Sequence, residues 1–150
     1  MGIKSKLPLI GKSRLEEIKL ILRDNKISIT QTRIEILDAF LQQSKGIEYN
    51  YLLQHPELNL NRITLFRNLK LLARKKIIYK IPSSDGISRY IIQTKANRQR
   101  LDNHSSFRCE RCGMVISLNL LASPKVELPD GFKRENTEIV MSGLCSKCRG

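Results

Sequence analysis

The sequence predicts an α+β protein in two parts, a winged helix-turn-helix followed by a small zinc-stapled module. Three observations carry this expectation. Four helix-patterned segments and a hairpin fill the chain to about residue 93. Two C-x-x-C pairs, Cys109/Cys112 and Cys145/Cys148, bracket the remainder. Positive charge gathers in the half that has no cysteine: residues 1–81 hold 16 Lys/Arg against 7 Asp/Glu, and residues 82–150 hold 11 against 7.

Residues 1–12 are basic and broken by Gly and Pro, and read as a flexible arm. The winged-helix part spans 13–93. Ser13 is an N-cap type with Glu16 three residues on, and Leu15, Ile18 and Leu22 recur at helical spacing, which predicts a first helix ending near Asp24. Thr30 then caps a second helix, whose apolar stripe is Ile34, Leu37 and Leu41 beside Phe40. Gly46 separates it from a short third helix, Asn50 to Gln54, stopped by Pro56. Asn61 opens a fourth, running to about Lys75. The β-branched runs Ile77–Ile81 and Ile87–Ile92, joined by Pro82-Ser83-Ser84-Asp85-Gly86, predict the hairpin of a wing. Residues 94–103 are polar and basic and read as a hinge, or equally as a helix cap plus loop. The second module, 104–150, is expected to contain a strand over Met114–Leu118 and an extended stretch over Phe132–Leu144. Leu120–Val126 stays open, because Pro124 interrupts any helix there.

The two cysteine pairs are separated by residues 113–144. Each C-x-x-C turn can aim two sulfurs at one ion, so four thiolates fill the shell of one tetrahedral zinc ion per chain. With every ligand a protein atom, no position stays open to water, and the metal is expected to hold the fold rather than do chemistry. The competing readings are two disulfides, four idle thiols or a redox C-x-x-C. The N-terminus shows no hydrophobic signal peptide and the chain is lysine-rich, so a cytoplasmic location and zinc are expected instead.

Composition narrows the partner. The chain carries 27 basic against 14 acidic side chains, a formal charge of +13 and a pI near 9.9. To be useful that surplus needs an anionic partner, with nucleic acid first and an acidic membrane surface second; a basic but otherwise inert surface is the alternative that composition alone leaves open. No apolar run reaches the length of a membrane span, which excludes a spanning role.

The fourth helix makes the nucleic-acid reading specific. Leu65, Leu69 and Leu72 recur at i, i+4 and i+7 and should face the core. The opposite side then presents Arg62, Phe66, Arg67, Lys70 and Arg74. No carboxylate occurs over residues 58–84, so this surface can lie against phosphates without repulsion. A helix of this width fits the major groove, where arginine grips guanine and Phe66 or Thr64 can meet a thymine methyl. Phe66 as an ordinary core residue stays open at this point. In the wing, Lys80 and Arg89 are expected to reach the sugar–phosphate backbone. Roughly 47 residues (104–150) with few large aromatics make too small a core to stand unaided, so pairing of two copies into a homodimer is expected.

The order of parts resembles the ferric uptake regulator family of bacterial transcription regulators. The matching stretches are Ile29-Thr30-Gln31-Thr32-Arg33-Ile34-Glu35-Ile36-Leu37, Ile63-Thr64-Leu65-Phe66-Arg67-Asn68-Leu69, Phe107-Arg108-Cys109-Glu110-Arg111-Cys112-Gly113, and Gly131-Phe132 before Gly143-Leu144-Cys145-Ser146-Lys147-Cys148. The resemblance covers roughly residues 13–150. It implies a homodimeric repressor binding double-stranded DNA, with a winged-helix head and an α/β dimerisation module. It also implies that Cys109, Cys112, Cys145 and Cys148 hold structural zinc and that Arg67 contacts DNA. Phe66 stands where the family usually has tyrosine. Such regulators usually also hold a regulatory metal near the hinge, through histidines and carboxylates. Here Lys45-Gly46-Ile47-Glu48 and Ser117 replace expected ligands, and His104 with Asp102 is all that remains of a histidine-rich run. His55, beside Pro56, reads as a surface residue.

Two other classes compete. A zinc-ribbon RNA- or ribosome-associated accessory protein would use the same charge without reading bases. An enzyme lacks its parts here: there is no open metal position, no H-x-E glutamate, no Gly-rich phosphate loop and no acid–base pair around a histidine, and no small-molecule substrate is expected.

Overall fold

A computed structural model of the chain describes residues 10–43, 45–81, 85–93, 103–118, 126–135 and 137–150. Most of the expected arm, the tip of the wing (82–84), the hinge over 94–102 with Asp102, the segment 119–125 with Pro124, and the side chain of His104 lie outside the described residues.

Four helices build the first part: α1 (Lys12–Asp24), α2 (Gln31–Gln42), α3 (Tyr49–Gln54) and α4 (Arg62–Arg74). Their apolar faces meet in one core, in which Ile18, Leu22, Ile36, Leu37, Phe40, Leu52, Leu65, Leu69 and Leu72 are almost wholly removed from water. Buried apolar area of this kind is the main force holding the helices together. Thr30 and Asn61 cap α2 and α4 as expected, their side-chain oxygens accepting from the Arg33 and Thr64 amides at 3.4 and 2.8 Å. Ser13 does not cap α1. The helix begins two residues earlier, with Gly11 at the cap and the Leu15 amide bonded to the Gly11 carbonyl at 3.0 Å. Ser13 therefore lies inside the first turn, and Glu16 pairs with Lys19 instead (3.1 Å).

The ends of α1 and α4 close alike. Lys26 and Lys76 adopt positive φ (55° and 56°). The Ile27 and Ile77 amides then reach back to the Leu22 and Leu72 carbonyls at 2.9 and 3.0 Å. This is the Schellman closure, with lysine at the position where glycine is favoured.

The wing sheet has three strands in the order β1 (Ile47–Glu48), β3 (Arg89–Ile92), β2 (Ile78–Ile81), all antiparallel. Two strands were expected. The third, β1, is two residues long, too short to leave a periodicity in the sequence. It makes β3 the central strand, and all four of its residues are buried. Tyr90 and Ile92 face the helical core, while Ile91 packs with Ile81 and with Val115 from the cysteine-bearing part.

The second sheet has the order β5 (Val115–Ser117), β4 (Asn103–Cys109), β6 (Thr137–Gly143). β4 pairs antiparallel with β5 and parallel with β6, Cys109 lying opposite Gly143. That parallel register brings the two cysteine pairs, remote in sequence, to the same end of the sheet. β5 falls within the expected Met114–Leu118 strand and β6 within Phe132–Leu144. Phe132 lies before β6 and is exposed.

Candidate functional site

The cysteine cluster is built on the sheet's end. Each pair closes a tight turn, with the Gly113 amide donating to the Cys109 carbonyl (2.9 Å) and the Cys148 amide to the Cys145 carbonyl (3.0 Å). The Arg111 guanidinium crosses between them to the Cys148 carbonyl at 2.7 Å. The four Sγ atoms all lie within 4.8 Å of one another, and Cys112 and Cys145 are 3.8 Å apart, Sγ to Sγ. A tetrahedron with Zn–S bonds of ~2.3 Å has edges of about 3.8 Å, so the donor set fits a structural zinc ion in size as well as in chemistry. Backbone amides of Cys112 and then Cys145 point at the Cys109 sulfur and lower its pKa to about 6. The Cys148 amide likewise lowers that of Cys145. Cys148 is pushed up to about 12 by its hydrogen bond with the Cys145 thiol. A divalent ion bound here cross-links β4, β5 and β6 with no position left for a substrate.

The second feature is the outer face of α4. Leu65, Leu69 and Leu72 point inward as expected. Arg62, Phe66, Arg67, Lys70 and Arg74 all point outward, and Lys80 is exposed on β2. Phe66 is 56 % exposed, which removes the core alternative for that ring. Thr64 is half-buried. Among the described residues, none of these five cations is held in an ion pair.

The helix is held in place by polar contacts as well as by its apolar face. The Asn68 Nδ2 donates to the Thr64 carbonyl (2.9 Å), and its Oδ1 accepts from Arg33 Nε of α2 at 3.1 Å. Arg33 itself also donates to Ser28 Oγ and the Ser28 carbonyl, both at 2.6 Å. At the other end, the Tyr49 hydroxyl donates to the Arg62 carbonyl at 3.1 Å. Arg33, Asn68 and Tyr49 thus orient α4, a role that side-chain type alone does not disclose.

Arg89 is a correction. Expected on an open wing, it is 4 % exposed. Its Nη2 lies 3.0 Å from Glu48 Oε1 and its Nη1 2.8 Å from Asp85 Oδ2. A hairpin read from sequence leaves one face to solvent; here the cysteine-bearing sheet covers that face and takes Arg89 inside. Glu48, Asp85 and Gly113, which surround it, were not expected at a site.

Residues 24–141 match the sequence pattern of the Ferric uptake regulator family. The chain belongs to that family. This family member is 28% identical over 149 residues to the ferric uptake regulation protein of Bacillus subtilis, covering 93% of this chain and 97% of that protein. It is 24% identical over 143 residues to the peroxide-responsive repressor PerR of Staphylococcus saprophyticus, covering 91% and 92% of the two chains. In fold it is similar to a zinc uptake regulator solved with zinc and DNA (TM-score 0.68, 23% identity, 91% and 93% covered). It is likewise similar to the Helicobacter pylori ferric uptake regulator (TM-score 0.59, 19% identity, 92% and 93% covered). These likenesses agree with the α+β winged-helix fold and its small α/β zinc module.

Proposed function

We propose that the protein is a sequence-specific DNA-binding transcription regulator, a repressor, acting in the cytoplasm as a homodimer with one structural zinc ion per chain. The observation that carries this reading is the exposed face of α4, where four cations and an exposed phenyl ring stand on a rigidly held helix over a stretch free of carboxylates. A charge-only binder has no need of so firmly oriented a helix, and that disfavours the RNA- or ribosome-associated alternative. The names of the relatives, a ferric uptake regulator and a peroxide-responsive repressor, point the same way. So does the zinc uptake regulator solved with DNA.

In this reading α4 lies in the major groove. Arg67 grips guanine O6 and N7, and Phe66 covers a thymine methyl with Thr64 beside it. Arg62, Lys70, Arg74 and Lys80 hold phosphates and fix the register. Arg89 takes no part in contacting DNA, because it is buried. Residues 13–93 form the reading head, 94–103 the hinge and 104–150 the dimerising module, so two heads address two half-sites.

Selection of duplexes from a random library by the zinc-loaded protein tests the proposal. A palindromic preference that survives rising salt is the expected result; equal binding of all duplexes, or preference for RNA, overturns it. Arg67→Ala should weaken the selected duplex by about 1–3 kcal/mol and relax preference at one base pair. An equal loss on every sequence would move Arg67 to a phosphate.

A further inference from the structure

We propose that Arg89 is a positioning residue, which fastens the wing of the winged-helix head to the first cysteine knuckle and so sets the angle at which α4 is presented. One guanidinium joins four segments. Arg89 stands on β3, and its forks reach Glu48 on β1 at 3.0 Å and both oxygens of Asp85 in the wing turn at 2.8 and 3.1 Å. Its flat face lies on Gly113, inside the knuckle that follows Cys112. A methyl placed on Gly113 would stand 2.5 Å from Nη2 and 3.0 Å from Cζ. Gly113 also has φ +71°. Both the backbone angle and the close approach demand glycine there.

The clamp has an apolar floor. Val115 packs between Ile81 and Ile91, and the Gly46 amide donates to the Val115 carbonyl at 2.6 Å. A Cβ on Gly46 would meet Val115 Cβ at 3.0 Å, so the two segments approach closely along that seam. Lys45 bridges to Ile116 alongside. An apolar seam alone could slide. A buried guanidinium cannot, because its donors have a fixed plane and leaving them unpaired is costly. The conformation of the knuckle, which the four cysteines define, is thereby transmitted to the wing and the adjoining helix. The value of that transmission for DNA rests on the proposed reading of α4, but the clamp itself is a property of the free protein.

Amide hydrogen exchange on the full zinc-loaded chain tests it without DNA. Stripping zinc from the wild type should speed exchange in 45–48 and 85–92 by about ten-fold or more, while α1 and α2 keep their protection. Arg89→Met and Gly113→Ala should give the same local pattern with zinc still bound, and Arg89→Lys, which keeps the charge but loses the fork, should recover only part of the protection. Wing protection unchanged after zinc removal overturns the clamp, as does an even rise across α1 and α2. If Arg89→Met fails to fold, Gly113→Ala decides, since it displaces the guanidinium from the knuckle side; exchange like that of the wild type overturns the proposal. With a selected duplex in hand, both variants should lose affinity for paired half-sites by about ten-fold while single half-site binding changes by less than about two-fold. A wild type that selects no duplex refutes the DNA reading and leaves the exchange result standing.

Discussion

At the scale of single residues, the cysteines and the arginines behave differently under inspection from sequence. A thiolate's role follows from its type and spacing, because four of them at C-x-x-C intervals have few other uses. Cys109 is 1% exposed, and its sulfur accepts the Cys145 amide at 3.4 Å. Cys109→Ser should therefore remove zinc, as measured by elemental analysis. Its far-UV circular dichroism should keep the helical signal while the strands of the second sheet lose protection from exchange. Arginine's role depends on what lies beside it. Arg67 and Arg89 are alike in the sequence, yet one stands in water and the other is enclosed by Glu48, Asp85 and Gly113. Phe66 was open between core and surface for the same reason, since a phenyl ring suits either, and only the helix's rotation about its axis places it outside.

At the scale of elements, caps and periodicity were legible and strand partners were not. Asn61 was visible as an N-cap, and its bond to the Thr64 amide is 2.8 Å against 3.4 Å for Thr30 to Arg33. Asn61→Ala should cost about 1 kcal/mol in urea unfolding, and Thr30→Ala less. Leu69 is 1% exposed at the centre of the helical core. Leu69→Ala should cost about 2–5 kcal/mol by the same measurement, and with it the orientation of α4. The closures at Lys26 and Lys76 gave no sequence signal, because glycine is the usual mark of a left-handed C-terminal residue. Lys76→Gly should for that reason stabilise the fold by up to about 1 kcal/mol, visible as a higher urea midpoint. The strand β1 escaped because two residues carry no period. β4 (Asn103–Cys109) escaped because Asn-His-Ser-Ser alternates no apolar residue with a polar one. Its strand character comes from neighbours on both sides.

At the scale of the whole molecule, charge and topology act together. A chain of formal charge +13 has a carboxylate-free stretch, residues 58–84, that takes in α4 and β2, and the outer face of α4 carries exposed cations. Binding to duplex DNA should weaken steeply with salt, and replacing Lys70 or Arg74 by Ala should each lower the slope of log K against log salt by about 1, read from titrations between low and moderate salt. Among the described residues no helix is long and apolar enough to cross a membrane. The parallel pairing of β4 with β6 closes the cysteine cluster, and the packing of β5 on the wing joins that cluster to the head.

The sequence by itself determined the four helices, their order before a hairpin, the inward face of α4 and the identity of the metal donors. Those features rest on local periodicity and on spacings between a few residue types. Only the tertiary structure decided which face of β3 is covered, and hence that Arg89 is enclosed and paired rather than exposed. It alone showed that β4 and β6 run parallel, and that Arg33, Asn68 and Tyr49 steady α4. The reason is physical: a side chain carries its chemistry with it, but its exposure and its partners belong to segments far away in the chain, which come together only when the core closes.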